Sequence, residues 1–258
     1  MTQNNKTISI IGCGWFGYPM ALKLIEKGYT VLGTTTGKEK LTSFTKNGIK
    51  AFQFRLTDPL PEALSQSNIA LISIPPRRKV MPTNTYLQGL EKLANELKAG
   101  QVDKVIFIST TGIYPDDEPL AQENATALKS PFVEAEKIWL DRFEKCLILR
   151  FAGLFGPHRL AGRFLAAKKG LADKPINMLH LNDALGFCQY ALSRQLEGIY
   201  NVCSPQHPFR SEFYPKASQQ LGLEPPTFSQ IEKSKTVSSD KSLKSGYQYQ
   251  FPNPIEAL

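Results

Sequence analysis

Six residues near the amino terminus, Gly12-Cys13-Gly14-Trp15-Phe16-Gly17, have the types and spacing to grip a diphosphate. Gly12 permits a tight turn, Gly14 lets the backbone come close to phosphate oxygens, and Gly17 allows a helix to pack against a strand. A helix opening at Trp15 and Phe16 would offer backbone amides and a partial positive charge to an anion. Glycines are common, so the spacing is informative only in context. That context is a strand directly before, a helix directly after, and a second strand ending near Thr34. The alternative is a glycine-rich turn that binds nothing.

The end of that second strand would choose between nicotinamide cofactors. A site for NAD places an acid there to bond the ribose 2′-hydroxyl. The chain instead reads Gly33-Thr34-Thr35-Thr36-Gly37-Lys38, with no acid before Glu39. Three hydroxyls and a cation suit a 2′-phosphate, so Thr34, Thr35, Thr36 and Lys38 point to NADP, with NAD as the alternative. A polar turn with Lys38 in solvent would look the same.

The elements that must position these residues alternate as in a parallel sheet with crossover helices. Strand-like runs cover Ile8–Ile11, Tyr29–Thr34, Ala51–Phe54, Asn68–Ile74, Lys104–Thr110 and Cys146–Phe151. Helical runs cover Trp15–Lys27, Lys38–Lys46, Asn84–Lys98 and Phe132–Glu144. Beyond Gly153–Pro157 the alternation loosens. Helices are expected over Leu160–Lys169, Asp183–Arg194, with Asp183 as its N-cap, and Ser211–Leu221; a late strand is expected over Ile199–Val202. The fold class is α/β, a Rossmann doubly wound parallel sheet.

Composition narrows the classes. The chain has 258 residues and ordinary apolar and charged fractions, which indicates a globular protein. No stretch approaches membrane-spanning length, and the polar start is a poor secretory signal, so a cytoplasmic location without a membrane partner is expected. Cys13, Cys146, Cys188 and Cys203 form no C-x-x-C pair and read as buried, reduced thiols, with no metal site. The net charge of +8 is scattered apart from Arg77-Arg78-Lys79 and Lys168-Lys169, and no nucleic-acid motif accompanies it.

Taken together, several segments make the chain resemble the short-chain dehydrogenase/reductase superfamily, in its extended branch of NAD(P)-dependent sugar-nucleotide epimerases and dehydratases. They are the GCGWFG turn, Ile108-Ser109-Thr110-Thr111-Gly112-Ile113-Tyr114, Leu149 to Pro157, Leu179-His180-Leu181-Asn182-Asp183, and Gly198-Ile199-Tyr200-Asn201-Val202. Within the branch the chain is most similar to the atypical, YeeZ-like group. The resemblance implies a cofactor domain over residues 1–157, completed by about 181–203, and a small substrate lobe from 158–180 and 204–258. It implies that Gly153 and Leu154 lie near the nicotinamide and that Ser73, Pro75 and their neighbours border the cofactor. It also places Arg55 where the family has an adenine-contacting acid, with Asp58 read as a turn cap.

The family's chemistry uses a Ser or Thr with a Tyr and Lys spaced Y-x-x-x-K, the ammonium lowering the phenol's pKa so that it works as an acid–base near neutrality. Thr110 falls at the first position. Aligning Ser130-Pro131 puts Phe132 at the tyrosine and Glu136 at the lysine; aligning Lys137 puts Val133 at the tyrosine. Neither register supplies the pair. Tyr114, a framework aromatic by the resemblance, and Lys137 are the remaining catalytic candidates, with His180 as a titratable alternative. Arg159, Arg163 and Arg210 are candidate anion clamps. The resemblance thus implies an NADP-dependent oxidoreductase or sugar-nucleotide-modifying enzyme with an atypical site, acting on a phosphorylated or carbonyl compound and possible as a homodimer. The alternative is a non-catalytic NADP(H)-binding regulator or sensor.

Overall fold

The computed structural model describes residues 6–76, 81–125 and 127–258. In chain order its elements are β1 (Thr7–Ile11), α1 (Gly17–Glu26), β2 (Thr30–Thr35), α2 (Leu41–Lys46), β3 (Lys50–Gln53), α3 (Glu62–Ser65), β4 (Ile69–Ile72), α4 (Thr83–Ala99) and β5 (Lys104–Thr110). These are followed by β6 (Leu120–Ala121), α5 (Pro131–Leu140), β7 (Lys145–Phe151), β8 (Gly153–Phe155), α6 (Gly162–Leu165), β9 (Leu171–Asp173) and β10 (Met178–His180). The last are α7 (Leu181–Ser193), β11 (Gly198–Val202), α8 (Arg210–Gln219), β12 (Phe228–Ile231), β13 (Thr236–Val237) and α9 (Asp240–Lys244).

Seven strands form one parallel sheet in the order β11-β7-β5-β4-β1-β2-β3, flanked by helices. The near-continuous apolar runs of β1, β4 and β5 follow from burial on both faces, as a sheet covered by crossover helices requires. The chain runs outward from β1 to β3, then returns to β4 on β1's other side. The reversal of strand order therefore falls between β1 and β4. In open α/β sheets ligands bind at such a point, outside the carboxyl ends of the strands.

By internal contacts the chain resolves into two compact units. One comprises residues 1–109, 129–148 and 195–198; the other comprises 110–128, 149–194 and 199–258. In the first unit β1 pairs with β2 and β4 in register, Ile10 opposite Gly33 and Leu71. Gly33 is required there, because a methyl group would lie 2.7 Å from the Cys13 sulfur and from Ile49. In the second unit, short parallel ribbons pair β10 with β8, β12 with β9, and β13 with β6. A small apolar cluster of Phe155, Ile176, Met178, Phe213 and Ala217 sits beside them.

Two local expectations fail for physical reasons. The helix expected over Leu160–Lys169 is only Gly162–Leu165, since Ala167 turns left-handed at φ 60° and its amide bonds to the Glu224 carbonyl. Asp183 does not cap α7. His180 does, its Nδ1 accepting the Asn182 amide at 3.2 Å. Asp183 lies in the first turn, fully buried, and its carboxylate accepts the Gln250 and Phe251 amides at 2.6 and 3.0 Å. That ties the carboxyl-terminal segment to α7. No helix among the described residues is long and apolar enough to cross a membrane.

Candidate nucleotide and active site

The glycine-rich turn lies between β1 and α1 in the first unit. Gly12 adopts φ +106°, and a Cβ there would sit 2.5 Å from the Ser73 carbonyl oxygen. Only glycine satisfies both the left-handed backbone and that approach. Ser73 in turn donates its amide to Ile11 O at 2.9 Å, so the segments after β1 and β4 are locked backbone to backbone. A Cβ on Gly17 would run into the Gly12 carbonyl oxygen, which sets how closely α1 approaches the turn. Gly14 differs: it is exposed, and a Cβ there would have nothing within 4 Å. The fold therefore needs glycine at positions 12 and 17, whereas at 14 it leaves open space beside an exposed α-carbon.

The threonines after β2 divide their work. Thr34 is buried and its Oγ1 accepts the Gly12 amide at 2.9 Å, while its carbonyl accepts the Cys13 amide at 2.9 Å. Its hydroxyl thus shapes the turn and is not presented to a ribose, which corrects the expectation for that residue. The Thr35 hydroxyl accepts the Gly37 amide at 3.3 Å. Thr36 and Lys38 are exposed. The sequence reading set Glu39 aside as too far along the chain, but its carboxylate folds back over Gly37, where a methyl group would lie 2.5 Å from Oε2 and 2.6 Å from Cδ. A 3-10 turn over Lys38–Lys40 brings it back, and linear distance from β2 concealed it. Arg55 is exposed, and its backbone amide bonds to the Asp58 carboxylate at 3.0 Å, the turn cap expected of Asp58. Trp15 is half-buried, Phe16 is buried, Ser73 is half-buried and Pro75 is exposed. The basic cluster Arg77-Arg78-Lys79 lies outside the described residues. The Cys13 thiol is buried and pushed up to about 12 by desolvation, so it stays neutral.

At the carboxyl end of β5, within the same unit, Ser109 donates to Glu136 Oε1 at 2.5 Å, with both side chains buried. Pro131 opens α5 at its first position, where its missing N–H costs nothing. From that start the helix turns Glu136 inward. Lys137, about 100° further round, is exposed in a groove of about 380 Å³ with Glu91, Glu134 and Asp141. The helix register thus brings the glutamate, and not the candidate lysine, to the end of β5.

In the second unit, Thr110 Oγ1 accepts the Gly112 amide at 3.0 Å, capping a 3-10 turn. This uses a lone pair and not the hydroxyl proton. Tyr114 is fully buried. Its hydroxyl donates to Asn201 Oδ1 at 2.8 Å and accepts from Arg150 Nη1 at 2.7 Å, and burial raises its pKa. A phenol so committed is framework, which corrects its standing as an acid–base candidate. Burial lowers the His180 pKa, and the acceptor role of Nδ1 requires the neutral ring. Gly153 is exposed beside Met178 and donates its amide to the Asn177 carbonyl at 3.0 Å, and Leu154 is half-buried. Arg159 and Arg163 are exposed, and Arg210 bonds the Ala172 carbonyl at 3.3 Å.

Comparison with known proteins agrees with this geometry. Residues 7–135 match the family model described as the NAD binding domain of 6-phosphogluconate dehydrogenase. The chain is 32% identical to Protein YeeZ of Escherichia coli K12 over 271 aligned positions, spanning 97% of this chain and 98% of that one. Among solved structures it is similar to a candidate NAD-dependent epimerase/dehydratase from Methylobacillus flagellatus, with TM-score 0.80 and 22% identity over 98% of this chain and 96% of that one. It is also similar to UDP-N-acetylglucosamine 4-epimerase from Bacillus cereus, with TM-score 0.76 and 16% identity over 97% and 94% of the two chains. The likeness extends to UDP-glucuronic acid 4-epimerase from the same organism in complex with NAD, with TM-score 0.73 and 17% identity over 97% and 96%.

Proposed function

The chain belongs to the YeeZ family, with an NAD-binding Rossmann fold of the epimerase/dehydratase type, and from that premise we propose that it is an NADP-dependent oxidoreductase or sugar-nucleotide-modifying enzyme. The carrying observation is the exposed α-carbon of Gly14, with open space beside it, set between two glycines whose absent side chains the fold itself requires. In this reading Gly12, Gly14, Trp15, Phe16 and Gly17 supply the backbone against which the diphosphate rests. Ser73 and Pro75, after β4, border the cofactor on the far side of the crevice. The adenosine half extends over β2, where Thr35, Thr36 and Lys38 meet a 2′-phosphate and Arg55 stacks on adenine. The nicotinamide half runs the other way, over β4 and β5.

The dinucleotide supplies hydride chemistry when bound. The chain contributes Thr110, whose hydroxyl proton polarises a substrate oxygen. No phenol–lysine pair supports it, so the substrate is a carbonyl or alcohol compound, a sugar nucleotide among them, whose proton passes to a different group or to water. The missing pair also favours a second reading, a non-catalytic NADP(H) sensor. Fluorescence titration with NADPH and NADH tests the cofactor. Lys38→Glu is expected to weaken NADPH more than NADH, and equal losses refute the NADP assignment. Following reduced-nicotinamide absorbance with sugar nucleotides and simple carbonyls separates enzyme from sensor. Turnover abolished in Thr110→Val establishes the enzyme, and tight NADPH binding without turnover across the panel favours the sensor.

A further inference from the structure

Helix α4 buries a stripe of Tyr86, Gly89, Leu90, Leu93, Ala94 and Leu97, at the three- and four-residue spacing of one helix face. Tyr86 opens that stripe, carries its one polar side-chain atom, and is 1% exposed. Phenylalanine would satisfy the packing, because a hydroxyl moved from water into a core is unfavourable unless it is bonded. Here the hydroxyl donates to the Ile74 carbonyl at 3.0 Å. Burial pushes the phenol's pKa up, so the proton stays and the bond keeps this direction.

The acceptor lies where the backbone has few other means of attachment. β4 ends at Ile72 and Ser73 donates its amide to Ile11, but Pro75 and Pro76, which follow Ile74, have no N–H to give. This exit from the strand is therefore held by its carbonyls and side chains. The same two residues form the wall beside Gly12, where a Cβ would lie 2.5 Å from Ser73 O and 3.3 Å from Ile74 Cγ1. We propose that Tyr86 is a positioning residue for the dinucleotide: from the core of the first unit its hydroxyl fixes the exit of β4 against the glycine-rich turn, and so holds the wall on which the ligand rests. The inference rests on the dinucleotide reading above. It concerns the β4 side of the turn, whereas the 2′ position falls to the β2 side, across β1. NADPH and NADH consequently depend on Tyr86 equally.

Tyr86→Phe keeps the ring and removes the bond. A carbonyl left without its donor turns toward water, and apparent affinity falls with the fraction of molecules still seated. Dissociation constants for NADPH and NADH, from fluorescence titration of the full chain below its melting transition, are expected to rise about five- to tenfold with their ratio unchanged. Tyr114→Phe, which removes a buried hydroxyl from the second unit, is the control: it should lower thermal stability comparably and leave both constants as they are. Constants within twofold of wild type in Tyr86→Phe overturn its role and leave the dinucleotide site standing. A loss confined to one nucleotide places the effect at the 2′ end, and an equal loss in Tyr114→Phe makes it general loosening; either overturns the proposal. Tyr86→Phe that fails to fold assigns the hydroxyl to the fold alone, which overturns it too. Wild-type protein that binds neither nucleotide overturns the dinucleotide reading itself.

Discussion

Gly14 and Gly17 sit three residues apart, yet replacing them should damage different properties. At Gly17 a methyl group collides with the Gly12 carbonyl oxygen, so α1 must retreat from the turn. Overpacking of this kind costs about 1–3 kcal/mol. For a chain of this length each kcal/mol lowers Tm by roughly 2–4 °C, so Gly17→Ala should melt about 2–12 °C early. At Gly14 the same methyl group meets no atom within 4 Å, and the fold should not register it. Gly14→Asp places a carboxylate where the diphosphate must approach. Its repulsion of the two diphosphate charges is on the order of 2 kcal/mol, which corresponds to a loss in NADPH affinity of roughly thirtyfold. Thermal melting and fluorescence titration on the same samples check both claims. Gly14→Asp that binds NADPH within twofold of wild type, or that melts as early as Gly17→Ala, refutes the assignment of separate roles.

Two further outcomes follow from the second unit. Tyr114→Phe removes the hydroxyl that joins Arg150 to Asn201, leaving two buried polar groups short of a partner. Urea unfolding should show a loss of about 1–3 kcal/mol, with NADPH affinity unchanged; a stable variant with impaired nucleotide chemistry would instead make Tyr114 part of the reaction. His180 should make stability fall in acid. Burial lowers its folded-state pKa below the unfolded value of about 6.5, so the unfolded chain binds the proton more readily. The histidine's contribution is complete above that unfolded value and is lost as pH falls through the folded one. The urea midpoint should drop between pH 7.5 and 5.5, by less in His180→Asn, and an identical drop in both proteins would refute the assignment.

The α/β class and the glycine-rich turn between β1 and α1 were legible in the sequence because both are written locally. Apolar runs of strand length alternate with helical periodicity, and the backbone demands of a tight turn admit little but glycine at Gly12. Glycine types alone could not separate Gly14 from its neighbours, since a missing side chain looks the same whether it makes room for the protein's own backbone or for a ligand. The surrounding atoms show that the fold itself requires the glycines at 12 and 17 and not the one at 14. The tertiary structure likewise turned Thr34 into a brace for Gly12, committed Tyr114 to Arg150 and Asn201, and returned Glu39 to Gly37 through one 3-10 turn. It also chose the register of α5, pointing Glu136 at Ser109 and Lys137 at solvent. Residue types fix which bonds a side chain is able to make; the neighbours that compete for those bonds are distant in the chain, and only folding brings them together.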